Sequence, residues 1–295
     1  MTRNGIAGID HVIVAVRDLE AARRNWGRLG FTLSPRGRHI GQDTANYCIM
    51  FPADYIELLG KADPAGAPEP TAQGGMGGDR LARFLDRREG PMAAAFAPES
   101  SAAETRAALA ALGLHPSDPR PLGRELQAPE GTVVPRFSLV SLPPEATPAL
   151  DCFVCGHLTP ELMRRPEWLA HANGAVGIEG IHVLVDGTAA ILPAYDRLFG
   201  LPGVTTTDAV VSLRLGSHRI TFSTRDDFLT MHPKLDLDPA FPQPGIAALE
   251  IRVEQTGRTA DLLRRGGVSV IEMPDGALAV PAAEANGAIV FFFEA

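Results

Sequence analysis

The sequence predicts an α+β fold in which a short unit of one strand, one helix and three further strands occurs four times. Three observations predict it. Residues 8–16 alternate as a strand does, residues 18–30 have helical periodicity, and the same order of elements recurs along the chain. With 295 residues and 45% apolar side chains, the chain can bury a large core.

The first unit can be followed element by element. Asp18 suits the N-cap of its helix, and Gly30 suits the residue that ends it. One helix face carries the apolar side chains Leu19, Ala22, Trp26 and Leu29. Extended segments follow from residue 31, at 47–51 and at 55–59, with a turn at 35–37.

The other three units follow the same plan. Strand patterns open them at residues 92–97, 177–187 and 245–254. Helical patterns come next, at 101–113, 189–200 and 256–267. Further strands of the second unit are expected near 120–127, 134–141 and 150–157; VVSLRL and HRITFST belong to the third, and AIVFFFEA to the fourth.

Two domains are predicted from these units and the segments between them. Residues 62–78 and 226–244 are rich in turn-forming residues, whereas 158–175 is a polar insertion with a short helix. The first domain covers 1–175, with modules near 8–60 and 91–157 and the insertion. The second covers 176–295, with modules near 177–223 and 245–294.

Composition narrows the class of protein. A net charge of −8 without a cluster of lysine and arginine argues against a nucleic-acid surface. Without a membrane-length apolar run or a signal-peptide core, a cytoplasmic protein is expected. Three cysteines suit a reducing compartment. Cys152 and Cys155 are spaced so that a strand would send their thiols to opposite faces.

One pair of residues in the first unit has the chemistry of a metal site. His11 lies on the first strand and Glu57 on the last, so both point from one concave face if the strands share a sheet. Imidazole and carboxylate are ordinary ligands of borderline and hard divalent cations. His11 could instead be a hydrogen-bonded strand histidine. Glu57, between isoleucine and leucine, needs a cation, an arginine or a proton to compensate its charge.

Three stretches carry a resemblance to a known family. IDHVIVAVRDLEAARRNWGRLGF, then PRGRHIGQDTAN with YIELLG, and then HLTPELMRRPEWLAHANGA resemble the glyoxalase-like domain group of the vicinal oxygen chelate superfamily. That superfamily includes glyoxalase I, extradiol dioxygenases, and fosfomycin- and bleomycin-resistance proteins. The resemblance implies tandem βαβββ modules whose curved mixed sheets surround a cleft with a divalent metal.

The resemblance also implies a ligand set. Superfamily ligands tend to come from the first and last strands of each module, which gives His11 and Glu57, with Glu57 also the expected catalytic carboxylate. His157, at the end of the second module, is the expected third ligand, because the strand MAAAFA offers none.

Other polar residues are weaker candidates. His39, Asn46 and His171 are expected to contact substrate or to stabilise loops. In the second domain, His182 and Glu250 occupy matching strand positions, and Glu294 corresponds to Glu57, so a second metal cluster is an alternative.

The expected function is therefore that of a metal-dependent enzyme acting on a small oxygenated molecule, by isomerase/lyase or dioxygenase chemistry. The ion could be Fe, Mn, Zn, Ni or Mg. The alternative is a protein that binds or sequesters a small molecule in the same cleft without catalysis. A homodimer is compatible with either function.

Overall fold

The predicted α+β architecture is confirmed by a computed structural model, which describes residues 2–62 and 79–295, with only the backbone at Leu201. Two curved mixed sheets form the centre of the molecule, and helices pack outside them. Apart from Ala62, the predicted linker at 62–78 lies outside the described residues.

The first sheet contains nine strands in the order β2-β3-β4-β1-β5-β9-β8-β6-β7. Their bounds are β1 Ile6–Ala15, β2 Gly37–His39, β3 Thr44–Met50, β4 Tyr55–Lys61, β5 Gly90–Pro98, β6 Arg120–Ala128, β7 Gly131–Val133, β8 Arg136–Ser141 and β9 Cys152–His157. β1 runs parallel to β4 and antiparallel to β5. Because β2 also pairs with β6, the sheet closes into a barrel.

The second sheet contains eight strands in the order β11-β12-β13-β10-β14-β17-β16-β15. Their bounds are β10 Ala175–Leu184, β11 Val204–Thr206, β12 Val210–Leu215, β13 His218–Ser223, β14 Gly245–Val253, β15 Ile271–Glu272, β16 Leu278–Val280 and β17 Ile289–Glu294. β10 pairs with β13 and β14 as β1 pairs with β4 and β5, which is the predicted repeat.

Seven α-helices lie in the described part of the chain. They are α1 Leu19–Arg28, α2 Asp79–Leu85, α3 Ala102–Ala111, α4 Pro166–Leu169, α5 Leu192–Phe199, α6 Arg225–Met231 and α7 Thr256–Arg265. The Asp18 carboxylate caps α1 by accepting a hydrogen bond from the Ala21 amide, and Trp26 on the same helix is fully buried. Among these helices, we find none with the length and apolar character of a membrane span.

The polar insertion at 158–175 closes one end of the barrel. Met163 and Trp168 are buried against side chains inside the barrel, including Met50 and Phe137. The Arg164 guanidinium fastens this segment by donating hydrogen bonds to backbone carbonyls of residues 51, 53 and 54. The insertion is thus held at this end of the barrel by its buried apolar side chains and by Arg164.

A buried polar contact joins the two sheets. Asp54 accepts one hydrogen bond from the Ile178 amide, at 2.9 Å, and one from Nε2 of His218, at 3.0 Å. The Ile9 amide donates to the other nitrogen of the same ring, at 3.2 Å. The start of β1 is thereby tied to β13, and the start of β10 to the turn before β4.

We predict that Asp54→Ala lowers the free energy of unfolding by about 3 kcal/mol, because it leaves two buried donors without an acceptor. Chemical denaturation measures this change. Asp86→Ala, at an exposed carboxylate, is the control and should change the free energy by less than about 0.5 kcal/mol. Equal effects of the two substitutions would contradict the stabilising contact proposed between the two sheets.

Candidate functional site

A cavity lies inside the barrel and extends to its rim. Its volume is about 570 Å³. The cavity brings together four of the side chains predicted from the sequence: His11, His39, Asn46 and Glu57. Apolar side chains form much of the remaining wall, among them Leu122, Phe137, Leu139 and Phe153. Such a mixture of apolar wall and few polar groups is typical of small-molecule sites.

A β-bulge in β1 places an additional carboxylate beside the histidine. Ile9 pairs with Phe96 and His11 with Ala95, so that Asp10 is an extra residue opposite a single step of β5. Without the bulge, Asp10 and His11 would point to opposite faces of the strand. With it, Asp10 contacts the ring of His11.

Asp10 is the centre of a buried hydrogen-bond network. Its Oδ2 lies 2.7 Å from Nδ1 of His11, and its Oδ1 lies 3.0 Å from Nε2 of His157. Burial alone would raise the pKa of Asp10, but the charge of His157 and the hydrogen bonds of both rings hold this pKa well below its usual value. Asp10 is therefore a carboxylate that accepts a hydrogen bond from Nδ1 of His11, and Nε2 of this ring is directed toward Glu57.

Glu57 lies between two imidazoles. Its Oε2 is 3.5 Å from Nε2 of His11, and its Oε1 is 3.5 Å from Nε2 of His39. The side-chain amide of Asn46 donates to the same Oε1. Burial lowers the pKa of His39 to about 4, against the opposing effect of Glu57, so His39 is neutral near pH 7.

The Arg124 guanidinium provides positive charge behind this carboxylate. It is almost completely buried, and its Nη1 lies 3.2 Å from Oδ1 of Asn46 and 2.8 Å from Sγ of Cys48. This contact fixes the orientation of the Asn46 amide that bonds to Glu57. A side chain at Gly37 would collide with Arg124 and Asn46, since a Cβ there would lie 2.5 Å from Oδ1 of Asn46. The glycine is therefore required by the network.

The second module of the barrel presents apolar residues opposite this site. Across the sheet, His11 lies next to Ala95, which lies next to Phe153. The ring of Phe153 contacts the edge of His11 at a centroid distance of 5.6 Å, and Tyr55 stacks on the same imidazole at 4.4 Å. The site therefore takes its polar groups mainly from the first module, as the strand MAAAFA predicts.

His157 lies beside Asp10, where it forms a second cluster of ligand-type atoms. One such atom each from Asp10, Cys155 and His157 lies within 4.8 Å of the others. Burial and the nearby carboxylates raise the pKa of the Cys155 thiol well above its usual value, which keeps this sulfur protonated. The contact with Asp10 indicates that His157 helps to orient this carboxylate. That His157 binds a metal ion stays a prediction.

His171 has a different environment. Its Nδ1 accepts a hydrogen bond from the Thr32 amide, and its Nε2 lies 3.0 Å from the Met50 carbonyl. Both ring nitrogens are thus bonded to backbone, and the ring packs against Phe31 and Phe51. The structure places His171 in the packing between α1, β3 and the insertion, apart from the residues that line the cavity.

The three metal-ligand candidates predicted for the second domain each contact different residues. His182 contacts the hydroxyl of Ser223 at 2.8 Å, and Glu250 forms an ion pair with Arg219 at 2.9 Å. Glu294 is exposed at the end of β17 and accepts hydrogen bonds from Thr256. Each of the three side chains thus has its own partners.

The concave face of the second sheet is filled by the chain itself. Phe228 of α6 is fully buried and its ring lies 4.8 Å from that of His182. Leu235 and Leu237 belong to the same buried cluster. Where β1 has His11, the corresponding position of β10 is Gly180, at which a Cβ would lie 2.3 Å from the Arg219 carbonyl.

The residues that support the pair His11–Glu57 are not evident from the sequence. Asp10 is adjacent to His11, but strand alternation assigns it to the opposite face, and only the bulge brings it inward. Arg124 comes from β6, and the closure of the barrel through the β2–β6 pairing brings it to Asn46. One signal was available: a buried Glu57 requires a compensating charge, and an arginine was among the expected sources.

The fold and this cavity define a protein of the vicinal oxygen chelate class. A family model described as glyoxalase-like domain matches residues 9–199, and the chain belongs to that family. No curated protein matches the chain significantly.

Solved structures share the fold over nearly the whole chain. A hypothetical protein from Staphylococcus aureus is 14% identical, with a TM-score of 0.69 and coverage of 97% of this chain and 99% of its own. A mutant of 4-hydroxymandelate synthase from Streptomyces coelicolor is 13% identical, with a TM-score of 0.58 and coverage of 98% and 92%. A xylose isomerase-like TIM barrel/4-hydroxyphenylpyruvate dioxygenase fusion protein has the same identity and TM-score, and the match covers 98% of this chain and 48% of the fusion protein.

We predict that the stability of the protein falls as pH decreases below about 6.5, in part because of His182. Burial lowers the pKa of this ring to about 3, so the unfolded chain binds a proton in this window that the folded chain excludes. The expected contribution to the slope is at most about 1.4 kcal/mol per pH unit.

His182→Gln should make the slope shallower between pH 6 and pH 4, as measured by denaturant unfolding at each pH. His115→Gln is the matched control, because His115 is exposed. An unchanged slope in His182→Gln would show that the ring does not resist protonation.

Proposed function

We propose that this protein binds a divalent cation between His11 and Glu57 and acts on a small oxygenated molecule held in the cavity. The observation that carries the proposal is the alignment of Asp10, His11 and Glu57. Asp10 accepts a hydrogen bond from Nδ1 of His11, and Nε2 on the other side of this ring faces Oε2 of Glu57 at 3.5 Å. Two acceptors facing each other in a buried site require a cation or a proton between them.

The residues present fit such an ion. Imidazole and carboxylate suit Fe, Mn, Zn and Ni, and two ligands each about 2.1 Å from one ion lie roughly 3.0–3.4 Å apart. The Nε2–Oε2 separation of 3.5 Å is close to this range. His39, whose Nε2 is as near to the other oxygen of Glu57, is a further donor. The set then contains two histidines and one carboxylate.

The chain's own residues prepare the site for chemistry. The bound cation would supply Lewis acidity toward an oxygen of the substrate. Asp10 fixes the tautomer and the orientation of His11. Tyr55 and Phe153 cover the imidazole and exclude water from that side. Glu57 is the carboxylate placed to hold or move a proton at Oε1, where Asn46 steadies it.

Isomerase/lyase chemistry and dioxygenase chemistry are both compatible with this donor set. The fold shared with the two dioxygenase- and synthase-titled structures supports the second branch as an analogy of fold. The donor set of two histidines and one carboxylate supports it independently, because that set suits non-haem Fe(II).

A specific observation favours a second candidate, a binding protein without catalysis. Glu57 already has an amide donor, two imidazoles and, through Asn46, the charge of Arg124. These partners can stabilise the carboxylate without an ion. Metal content therefore separates the two functions.

We predict that protein purified without chelator contains about one divalent ion per chain, measured by elemental analysis. His11→Ala and Glu57→Gln should each reduce the bound metal to below about one tenth, because each removes a ligand. Asp10→Asn should weaken affinity by about 10–100-fold, because it releases the orientation of His11.

His115→Ala and Glu125→Gln, both at exposed positions, are the matched controls and should retain the metal. Circular dichroism verifies that each variant is folded. Metal-free wild type that also fails to take up Fe(II), Mn²⁺, Zn²⁺ or Ni²⁺ in titration would refute the metal site and leave the binding protein.

A further inference from the structure

The rim of the cavity has an excess of positive charge. Five arginines line the cavity, against two carboxylates, those of Glu57 and Asp151. Asp151 forms an ion pair with Arg80, and Glu57 is linked to Arg124 through Asn46. The chain as a whole has a net charge of −8, so this positive lining is opposite to the overall charge. Such a local reversal concentrates anions at the opening.

Of the remaining three arginines, Arg120 donates a hydrogen bond to the Ser141 hydroxyl at 2.8 Å, and Arg87 and Arg88 add positive charge at the rim. Both follow α2 and line the cavity. Arg88 donates to the Pro91 carbonyl at 3.1 Å and stacks on the rings of Phe84 and Phe241 at 4.9 and 4.3 Å. These partners position the guanidinium without neutralising it. Burial and the adjacent Arg87 accordingly lower the pKa of Arg88 to about 10.

Arg87 is the accessible member of the pair. Its side chain is exposed, and within residues 2–62 and 79–295 no carboxylate forms an ion pair with it. Of the two nearest acids along the chain, Asp86 forms no ion pair with Arg87 in the described part of the chain, and the carboxylate of Glu89 bonds to the Arg17 amide and to Asn286. A guanidinium in this position can form two parallel hydrogen bonds with an oxyanion.

We propose that Arg87 and Arg88 bind the oxyanion group of the small molecule that occupies the cavity, which makes the ligand an organic acid. Its body is apolar, because Phe84, Leu122, Leu139 and Phe153 line the same cavity as His11. The proposal names the substrate class of the proposed function, and rests on that function only in taking this cavity as the substrate site.

Three probes with the same phenylpropyl body test the charge requirement: 4-phenylbutyrate, 3-phenylpropyl phosphate and the neutral 4-phenylbutyramide. Calorimetric titration at low salt, with protein treated with chelator and then dialysed, measures binding independently of the metal. We expect at least one anion to bind about tenfold or more tightly than the amide. The better of the two anions identifies a carboxylate or a phosphate as the group recognised.

Arg87→Ala should reduce the preference for the anion to less than about threefold. Arg83→Ala is the matched control, because Arg83 is an exposed arginine of α2 that does not line the cavity. Leu122→Trp, which places a larger side chain in the cavity, should weaken binding of the anion and so verifies where it binds. Thermal unfolding verifies that all three variants are folded.

The proposal is overturned if the amide binds as tightly as both anions, if neither anion binds, or if Arg83→Ala has the same effect as Arg87→Ala. The metal content of the wild type distinguishes failure of the proposed metal-dependent function from failure of the proposed arginine site. If the anion binds and the protein takes up no metal, the metal-dependent function is refuted and the arginine site is supported. If the protein takes up metal and shows no preference for the anion, the arginine site is refuted and the metal-dependent function is supported.

Discussion

The extra residue in β1 is the constraint on which the site depends. A regular strand would alternate Asp10 and His11 between faces, but the bulge turns the Asp10 carboxylate toward the imidazole and toward His157. The direction of Nε2 of His11, its approach to Glu57 and the low pKa of Asp10 all follow from this one irregularity. The same irregularity recurs at Glu179 of β10, so it belongs to the repeated unit.

The two halves use the same unit differently because of what fills each concave face. The first sheet closes on itself through the β2–β6 pairing, and its interior keeps a cavity with a polar patch. In the second, Phe228, Leu235 and Leu237 occupy the concave face, and Gly180 stands where His11 would be. The Arg225 guanidinium holds the segment that follows α6 by donating hydrogen bonds to the carbonyls of residues 237, 238, 239 and 241. The second half also contributes Pro244 and Ile246 to the border of the cavity.

Buried charge is organised in layers around this cavity. The deep part of the site contains the carboxyl groups of Asp10 and Glu57, the guanidinium of Arg124, and His39, which burial holds neutral. The rim at Arg87 and Arg88 is positive. A cation in the deep part and an oxyanion at the rim would each lower the electrostatic free energy of the folded chain. The cation site at Glu57 and the oxyanion site at Arg87 and Arg88 are thus complementary in charge, although each can be tested without the other.

The sequence by itself determined the repeated unit, the α+β class, most strands within a few residues and the pairing of His11 with Glu57. Strand alternation, the cap at Asp18 and the spacing of apolar residues are local signals. The strands and helices of the structure agree with these signals. The support of the site was decided only by the tertiary structure: the inward turn of Asp10, the approach of Arg124 from β6 and the filling of the second concave face. A bulge shifts alternation by one residue without altering composition, and barrel closure joins residues that are 78 positions apart. Neither effect has a local signature, because both arise from long-range strand pairing.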